Sequence, residues 1–370
     1  MNTRNGNLEL ISLIRAEIEK RGPVSFDWFM EQALYHPEHG YYSSGRCAIG
    51  RKGDYFTNVS IGPFFGQLMT AQFAEIWAQL GKTDNFVIVE QGAHDGQFAR
   101  DVLQSARERA PEFFEGLRYR IIEPFPILRE RQSQILESFR DKIEWRDSLE
   151  PFTGVHFSNE LLDAMPVRLI SRGKEKLVGL QGDRFVFIDG PLSNTAFNQV
   201  ALDWINNLAA NLQRGYVIAI DYGHSVGEFQ RDIQVRVQHR RLDSPFEKIG
   251  HADITMHVDW TSIAHRAEAN ELRVAGFADQ HHFLTGIIST WPDLLQACAS
   301  NSTALSRRVL TKADRKNKRA LQTLLHPEML GRAFQVLALA KKVNACAPRL
   351  AGFKFARESR SALGIGKPNQ

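Results

Sequence analysis

Apolar residues recur at helical spacing near the start of the chain. Leu10, Ile11, Ile14 and Ile18 share one face, and Gly22-Pro23 ends the run. Ser25 is placed to cap a second helix that carries Phe26, Phe29, Met30 and Ala33 on one side. A third helix is predicted from about Pro63, with Phe65, Leu68, Met69, Phe73, Ile76 and Leu80 as its stripe. Between the second and third lies 40–62, rich in Gly, Ser, Tyr and charge. It is too polar for a core and long for a connector, which suggests a binding segment.

From Asn85 the pattern changes to short apolar runs alternating with helical stretches, as in βαβ units. The runs are 86–89, 119–122, 155–157 and 216–220, with 100–109 and 127–139 as intervening helices. Parallel strands covered on both faces read in this way. Three further runs, 167–171, 177–180 and 184–188, are separated by glycine-containing turns and predict an antiparallel meander inserted after the fourth strand. The stretch 335–343 reads as a closing helix. The fold expected is α/β with a Rossmann-like, mostly parallel sheet. An N-terminal helical cap and loop would span 1–82, and the sheet domain 83–370, with an insertion near 166–212.

Composition narrows the class. The chain has 370 residues, 43% hydrophobic and 24% charged, ordinary globular values that exclude a disordered or fibrous chain. No apolar run approaches the ~20 residues that a membrane-spanning helix needs. The opening residues lack the apolar stretch of a secretory signal and the Arg-rich amphipathic look of a transit peptide. Cys47, Cys298 and Cys346 are far apart and have no metal-ligand spacing. The expectation is a soluble cytoplasmic protein that holds no metal. A net charge of +4, from 46 basic and 42 acidic residues, does not call for nucleic acid. Only 307–319 is strongly basic, with Asp314 its one acid, and it reads either as an anion-binding patch or as a solvated helix face.

Candidate chemistry gathers at the predicted strand ends. The first strand runs into Glu90, then a turn with Gly92, Ala93, His94 and Gly96, then a helix. Glycine allows close approach of a ligand, and a helix start offers free N–H groups. The spacing G-x-x-x-G fails the dinucleotide fingerprint G-x-G-x-x-G. A loop for the ribose and amino-acid end of S-adenosyl-L-methionine needs fewer glycines, and a plain structural turn also fits. Glu123, at the tip of the second strand, is placed to accept both hydroxyls of a ribose. Asp147 and Ser148, near the end of the third, are placed for an adenine amine or for a turn cap. Asn159 and Glu160 leave the fourth strand into the crevice where such sheets bind ligands, or else begin a capped helix.

Longer runs carry a resemblance. They are Leu34-Tyr35-His36-Pro37-Glu38-His39-Gly40-Tyr41-Tyr42, Gly53-Asp54-Tyr55-Phe56-Thr57 and Phe65-Gly66, then Asn159-Glu160-Leu161-Leu162-Asp163-Ala164-Met165-Pro166-Val167. Ile220-Asp221-Tyr222-Gly223 and Asp253-Ile254-Thr255-Met256-His257-Val258-Asp259 complete the set. From about residue 22 to 341 the chain resembles the MidA-like family of class I S-adenosylmethionine-dependent methyltransferases, which includes a mitochondrial complex I assembly factor. The resemblance implies a class I methyltransferase core and S-adenosyl-L-methionine as cofactor. It also implies arginine methylation of a protein, by analogy a respiratory-complex subunit, and for a eukaryotic chain the mitochondrial matrix.

Under that resemblance Glu160 and Asp163 are the catalytic candidates, followed by Asp54 and then Asp221. Asp253, His257 and Asp259 are read as structural or as a further cluster, paired only if helical. The chain departs from the family where His94 replaces a glycine, where Ser60 replaces a glutamate, and where no G-T-L precedes His239. Two other functions stay open: methylation of a small molecule, and a catalytically inactive assembly factor that still binds the cofactor.

Overall fold

A computed structural model describes residues 6–47, 50, 53, 57–192, 195–225, 233–291, 312–344 and 346–366. The chain forms two compact units, each assembled from three separate segments. The first takes Met1–Phe56, Leu162–Trp204 and Gln230–Asp259; the second takes Thr57–Leu161, Ile205–Phe229 and Trp260–Gln370.

In the first unit, helix α1 (Leu8–Arg21) buries Leu10, Ile14 and Ile18, and the Asn7 side chain caps it by accepting the Leu10 N–H. Helix α2 (Phe26–Tyr35) buries Phe26, Phe29, Met30, Ala33 and Leu34. Ser25 precedes it but does not cap its backbone; the hydroxyl donates instead to the Asp27 carboxylate. Strands Leu169–Ser171, Lys174–Gln181 and Arg184–Leu192 pair antiparallel in sequence, and Val24–Ser25 adds to the middle one. Phe26, Phe29, Phe185, Phe187 and Phe246 pack ring to ring on this sheet and helix. A second small sheet joins Gln234–Val237, Arg240–Leu242 and Asp253–Thr255. Asp253 is therefore on a strand, which removes the helical spacing that would pair it with His257. It accepts the Tyr42 hydroxyl at 2.6 Å, and His257 sits 3.0 Å from the Gln234 amide nitrogen.

The second unit is built on strands β1 (Phe86–Gln91), β2 (Leu117–Ile122), β3 (Ile143–Arg146), β4 (Phe152–Asn159), β5 (Leu212–His224), β6 (Arg273–Asp279) and β7 (Phe334–Lys341). Their order is β6-β7-β5-β4-β1-β2-β3. The five from β5 to β3 are parallel, and β7 lies antiparallel between β5 and β6. The stretch expected to close the chain as a helix is thus β7. Phe334 and the run from Val336 to Ala340 are buried, so the segment lacks the alternation that separates strand from helix. Order reverses beside β1, between β2 and β4, and ligands of open α/β sheets bind outside the carboxyl ends at such a switch point.

Helix α3 (Phe64–Gln79) belongs to this unit and not to an N-terminal cap ending at residue 82. It is buried along most of its length, against helix α4 (Gln97–Arg109) and β4, where Phe65, Phe73, Phe98 and Phe157 stack or meet edge to face. At the center of the sheet Gly154 and Gly215 take positive φ, of 144° and 139°. Gly154 on β4 faces Val87 on β1 and Gly215 on β5. A Cβ at Gly154 would stand 2.1 Å from the Val87 carbonyl oxygen, and one at Gly215 would stand 1.9 Å from that of Gly154.

Among the described residues no helix is long and apolar enough to cross a membrane. Asp54, Cys298 and most of the basic run 307–319 lie outside the described residues or their side chains.

Candidate functional site

Strand β1 delivers Glu90 to the switch point almost fully buried, at 4% exposure. The Tyr119 hydroxyl on β2 donates to its Oε2 at 2.7 Å. Burial pushes the Glu90 carboxyl up to about 8, and the nearby Asp95 charge adds to the rise against the Tyr119 bond. The chain then turns through three residues of positive φ, Gly92 at 84°, His94 at 48° and Gly96 at 85°, before α4 begins. Glycine takes such angles freely; His94 does not, and a side chain held there marks a backbone that its surroundings constrain. Ala93 is buried and its carbonyl accepts the Gly96 N–H at 2.8 Å. Asp95 accepts the Gln97 N–H at 3.0 Å. Burial raises the Asp95 pKa, but the bonds and charge from His94 and the backbone outweigh it and hold the carboxyl below its usual range.

Glu123 follows β2 and is also buried. Its Oε1 accepts the Phe125 N–H at 3.1 Å, and its Oε2 accepts Gln132 Nε2 at 3.0 Å. Burial raises its pKa, opposed by these two bonds and by the charges of Arg129 and His94. Gln132, on helix α5 (Pro126–Ile135), is the hub here. The same Nε2 donates to the His94 carbonyl at 2.9 Å, and its Oε1 accepts the Trp145 indole N–H from β3 at 2.9 Å. One fully buried amide thus ties together the turn after β1, the tip of β2 and strand β3. Nothing in the sequence separates it from the other polar residues of its helix. Asp147 and Ser148 lie at the surface, where the Asp147 side chain, 81% exposed, pairs with Arg129.

A second group forms where β4 ends. Glu160 takes a positive φ of 54° and donates its N–H to the Ile220 carbonyl on β5 at 2.9 Å. Asn159 Nδ2 donates to Glu160 Oε1 at 2.8 Å, and Asn58 Nδ2 donates to Asn159 Oδ1 at 2.8 Å. The Asn58 N–H reaches Glu160 Oε1 at 3.4 Å. Asn58 is a further residue that sequence reasoning passed over. The departure noted at Ser60 is occupied locally: Ser60 and Thr57 exchange backbone-to-hydroxyl bonds at 3.0 and 3.1 Å. Asp163, two residues beyond Leu161, falls in the first unit, where its carbonyl accepts the Met256 N–H at 2.8 Å. Glu160 stands with Asn58 and Asn159 in the second unit. Asp221 on β5 is buried and accepts the Tyr222 N–H at 2.7 Å.

Residues 68–278 match the family model described as "Putative S-adenosyl-L-methionine-dependent methyltransferase". The chain belongs to that family. As an S-adenosyl-L-methionine-dependent methyltransferase, it shares its fold with a crystal structure from Burkholderia thailandensis bound to S-adenosyl-homocysteine. That likeness has a TM-score of 0.80 and 27% identity, over 95% of this chain and 96% of the other. Among curated relatives, the mitochondrial protein arginine methyltransferase NDUFAF7 homolog of Drosophila melanogaster is 26% identical, over 76% of this chain and 75% of its own. The protein arginine methyltransferase NDUFAF7 of Homo sapiens, also named mitochondrial, is 24% identical, over 94% and 85%.

The methyltransferase's own residues fit the cofactor. A carboxylate has about four lone-pair sites, and the two bonds described on Glu123 leave room for ribose hydroxyls. At Gly92 a Cβ would meet the Leu161 side chain in ordinary contact at 3.4 Å, so it is the φ of 84° that calls for glycine in the turn.

Proposed function

We propose that S-adenosyl-L-methionine is held by the turn of Gly92, Ala93, His94 and Gly96 beneath Glu90, by Glu123, and by Asn159, with Asp147 and Ser148 toward the adenine. We propose further that the methyl acceptor is an arginine side chain of a protein. The observation that carries this reading is Glu160, a carboxylate at the end of β4 whose position is fixed by its backbone bond to Ile220 and by bonds to its Oε1 from the Asn58 backbone N–H and Asn159 Nδ2. When bound, the cofactor supplies a methyl group whose bond to sulfur breaks as a bond to the acceptor nitrogen forms, the electron pair staying on sulfur.

The chain's residues have three tasks. Glu123 and the turn orient the ribose and the amino-acid end. Glu160 holds the guanidinium through charge-assisted bonds, which pair well with its planar fork. The methylated nitrogen must lose one proton, because the guanidinium carries a single positive charge before and after transfer; the role assigned to Glu160 is to take that proton and pass it to water. Glu160 is assigned the leading role and Asp163 stands as the next candidate; Asp54 lies outside the described residues. The names of the arginine methyltransferase relatives support the choice of acceptor.

The test uses cofactor labelled in its methyl group and a lysate from cells lacking the protein. Label is expected on protein arginine, and Glu160→Gln should lower turnover by roughly 100-fold or more while cofactor affinity changes little. Label found only in small metabolites defeats the arginine reading in favor of a small-molecule acceptor. Cofactor binding with no transfer at all would leave an assembly role.

A further inference from the structure

Asn58 is 0% exposed; its Nδ2 donates to Asn159 and its backbone N–H to Glu160. Its Oδ1 is buried and has no hydrogen-bond partner among the described residues. Buried acceptors in folded proteins are nearly always bonded, so an orphan beside a site needs an explanation.

Turning the amide over does not provide one. Glu160 Oε1 accepts from Asn159 Nδ2, which leaves the Asn159 Oδ1 facing Asn58. Asn58 must then answer with its own Nδ2. The relay from Asn58 through Asn159 to Glu160 fixes the orphan as an oxygen. What completes it is a donor.

We propose that this oxygen holds the methyl acceptor, taking an N–H of the guanidinium beside the Glu160 carboxylate, an inference that rests on the arginine reading above. Glu160 Oε1 already receives N–H groups from Asn159 and Asn58. A guanidinium has five N–H donors and no acceptor, more than one partly occupied carboxylate can satisfy. Asn58 adds a neutral acceptor next to it without placing a second negative charge against Glu160. The residue is also held firmly. Thr57 and Ser60 brace the turn Val59–Ile61 that leads into α3, and the bond to Asn159 orients the side chain.

The experiment measures KM and kcat for the labelled protein acceptor, and the affinity for S-adenosylhomocysteine by calorimetry, using the full chain. Asn58→Leu keeps the size and removes the oxygen. It is expected to raise the acceptor KM about 10- to 100-fold, as for a lost bond to a charged group, with product affinity within about two-fold. Asn58→Gln retains both an amide oxygen and an N–H donor for Asn159, and should raise KM less than Asn58→Leu does. Should N58L fail to melt cooperatively, N58A withdraws the same oxygen and carries the same expectation.

An unchanged KM in a folded variant overturns the proposal and leaves the oxygen to a buried water. Weakened S-adenosylhomocysteine affinity at constant KM overturns it too, by assigning the oxygen to the cofactor. A KM rise for N58Q as large as for N58L also counts against it. Label on a residue other than arginine sinks the arginine reading alone; the KM shift for that acceptor still decides whether Asn58 holds it.

Discussion

Glu90 shows how a single buried carboxyl links the site to stability. Unfolded, it titrates near 4.5; in the fold, burial moves it to about 8. Between those values the folded chain keeps a proton that the unfolded chain has released, so rising pH favors unfolding. The stabilisation is whole below about pH 4.5 and is lost as pH climbs through about 8. Glu90→Gln keeps an oxygen for the Tyr119 hydroxyl and cannot titrate. Its melting temperature should fall less than that of the native chain from pH 5 to pH 8, and parallel slopes would assign the pH dependence elsewhere. At Glu123 the expectation concerns binding: Glu123→Ala removes an acceptor for the ribose hydroxyls and should weaken S-adenosylhomocysteine by roughly 1.5–3 kcal/mol, measured by calorimetry on a folded variant. Glu90, Glu123, Asn159 and Glu160 were legible because each ends an apolar run, and a strand end predicts where a polar side chain goes. Gln132 and Asn58 were not. Their importance lies in bonds to residues distant in the chain, and neither stands at a position that periodicity or motif spacing marks.

At the scale of elements, the parallel core could be read from its runs, since β1, β2, β4 and β5 are bounded by turns and helices of the expected lengths. Strand β7 was misread for a physical reason: with neighbours on both edges and both faces covered, it has no polar side to reveal its period. Helix α3 was placed in the wrong body because an apolar stripe shows that a helix packs, not against what. The row of Val87, Gly154 and Gly215 is a further feature that composition cannot show. Gly154 has a φ of 144° and no room for a Cβ. Gly154→Ala must separate β1 from β4 or strain the backbone, and should cost about 2–4 kcal/mol. A denaturant midpoint unchanged from the native value would contradict this close approach.

For the whole molecule, the expected division at residue 82 gives way to two units whose segments alternate along the chain. An apolar pattern is local and cannot report that 1–56, 162–204 and 230–259 return to one body. That alternation, with the late position of β7, has a consequence for synthesis. All three segments of the first unit have been made once Asp259 leaves the ribosome, whereas the sheet of the second still lacks β6 and β7. Roughly a hundred residues separate the end of β5 from the start of β7. At ~5–20 residues per second, β5 waits on the order of 5–20 s with one edge unpaired. An apolar strand with a bare edge is a template for any other strand that reaches it. The newborn chain is therefore most exposed to mispairing, and most in need of a chaperone, in the interval just before its final strand arrives.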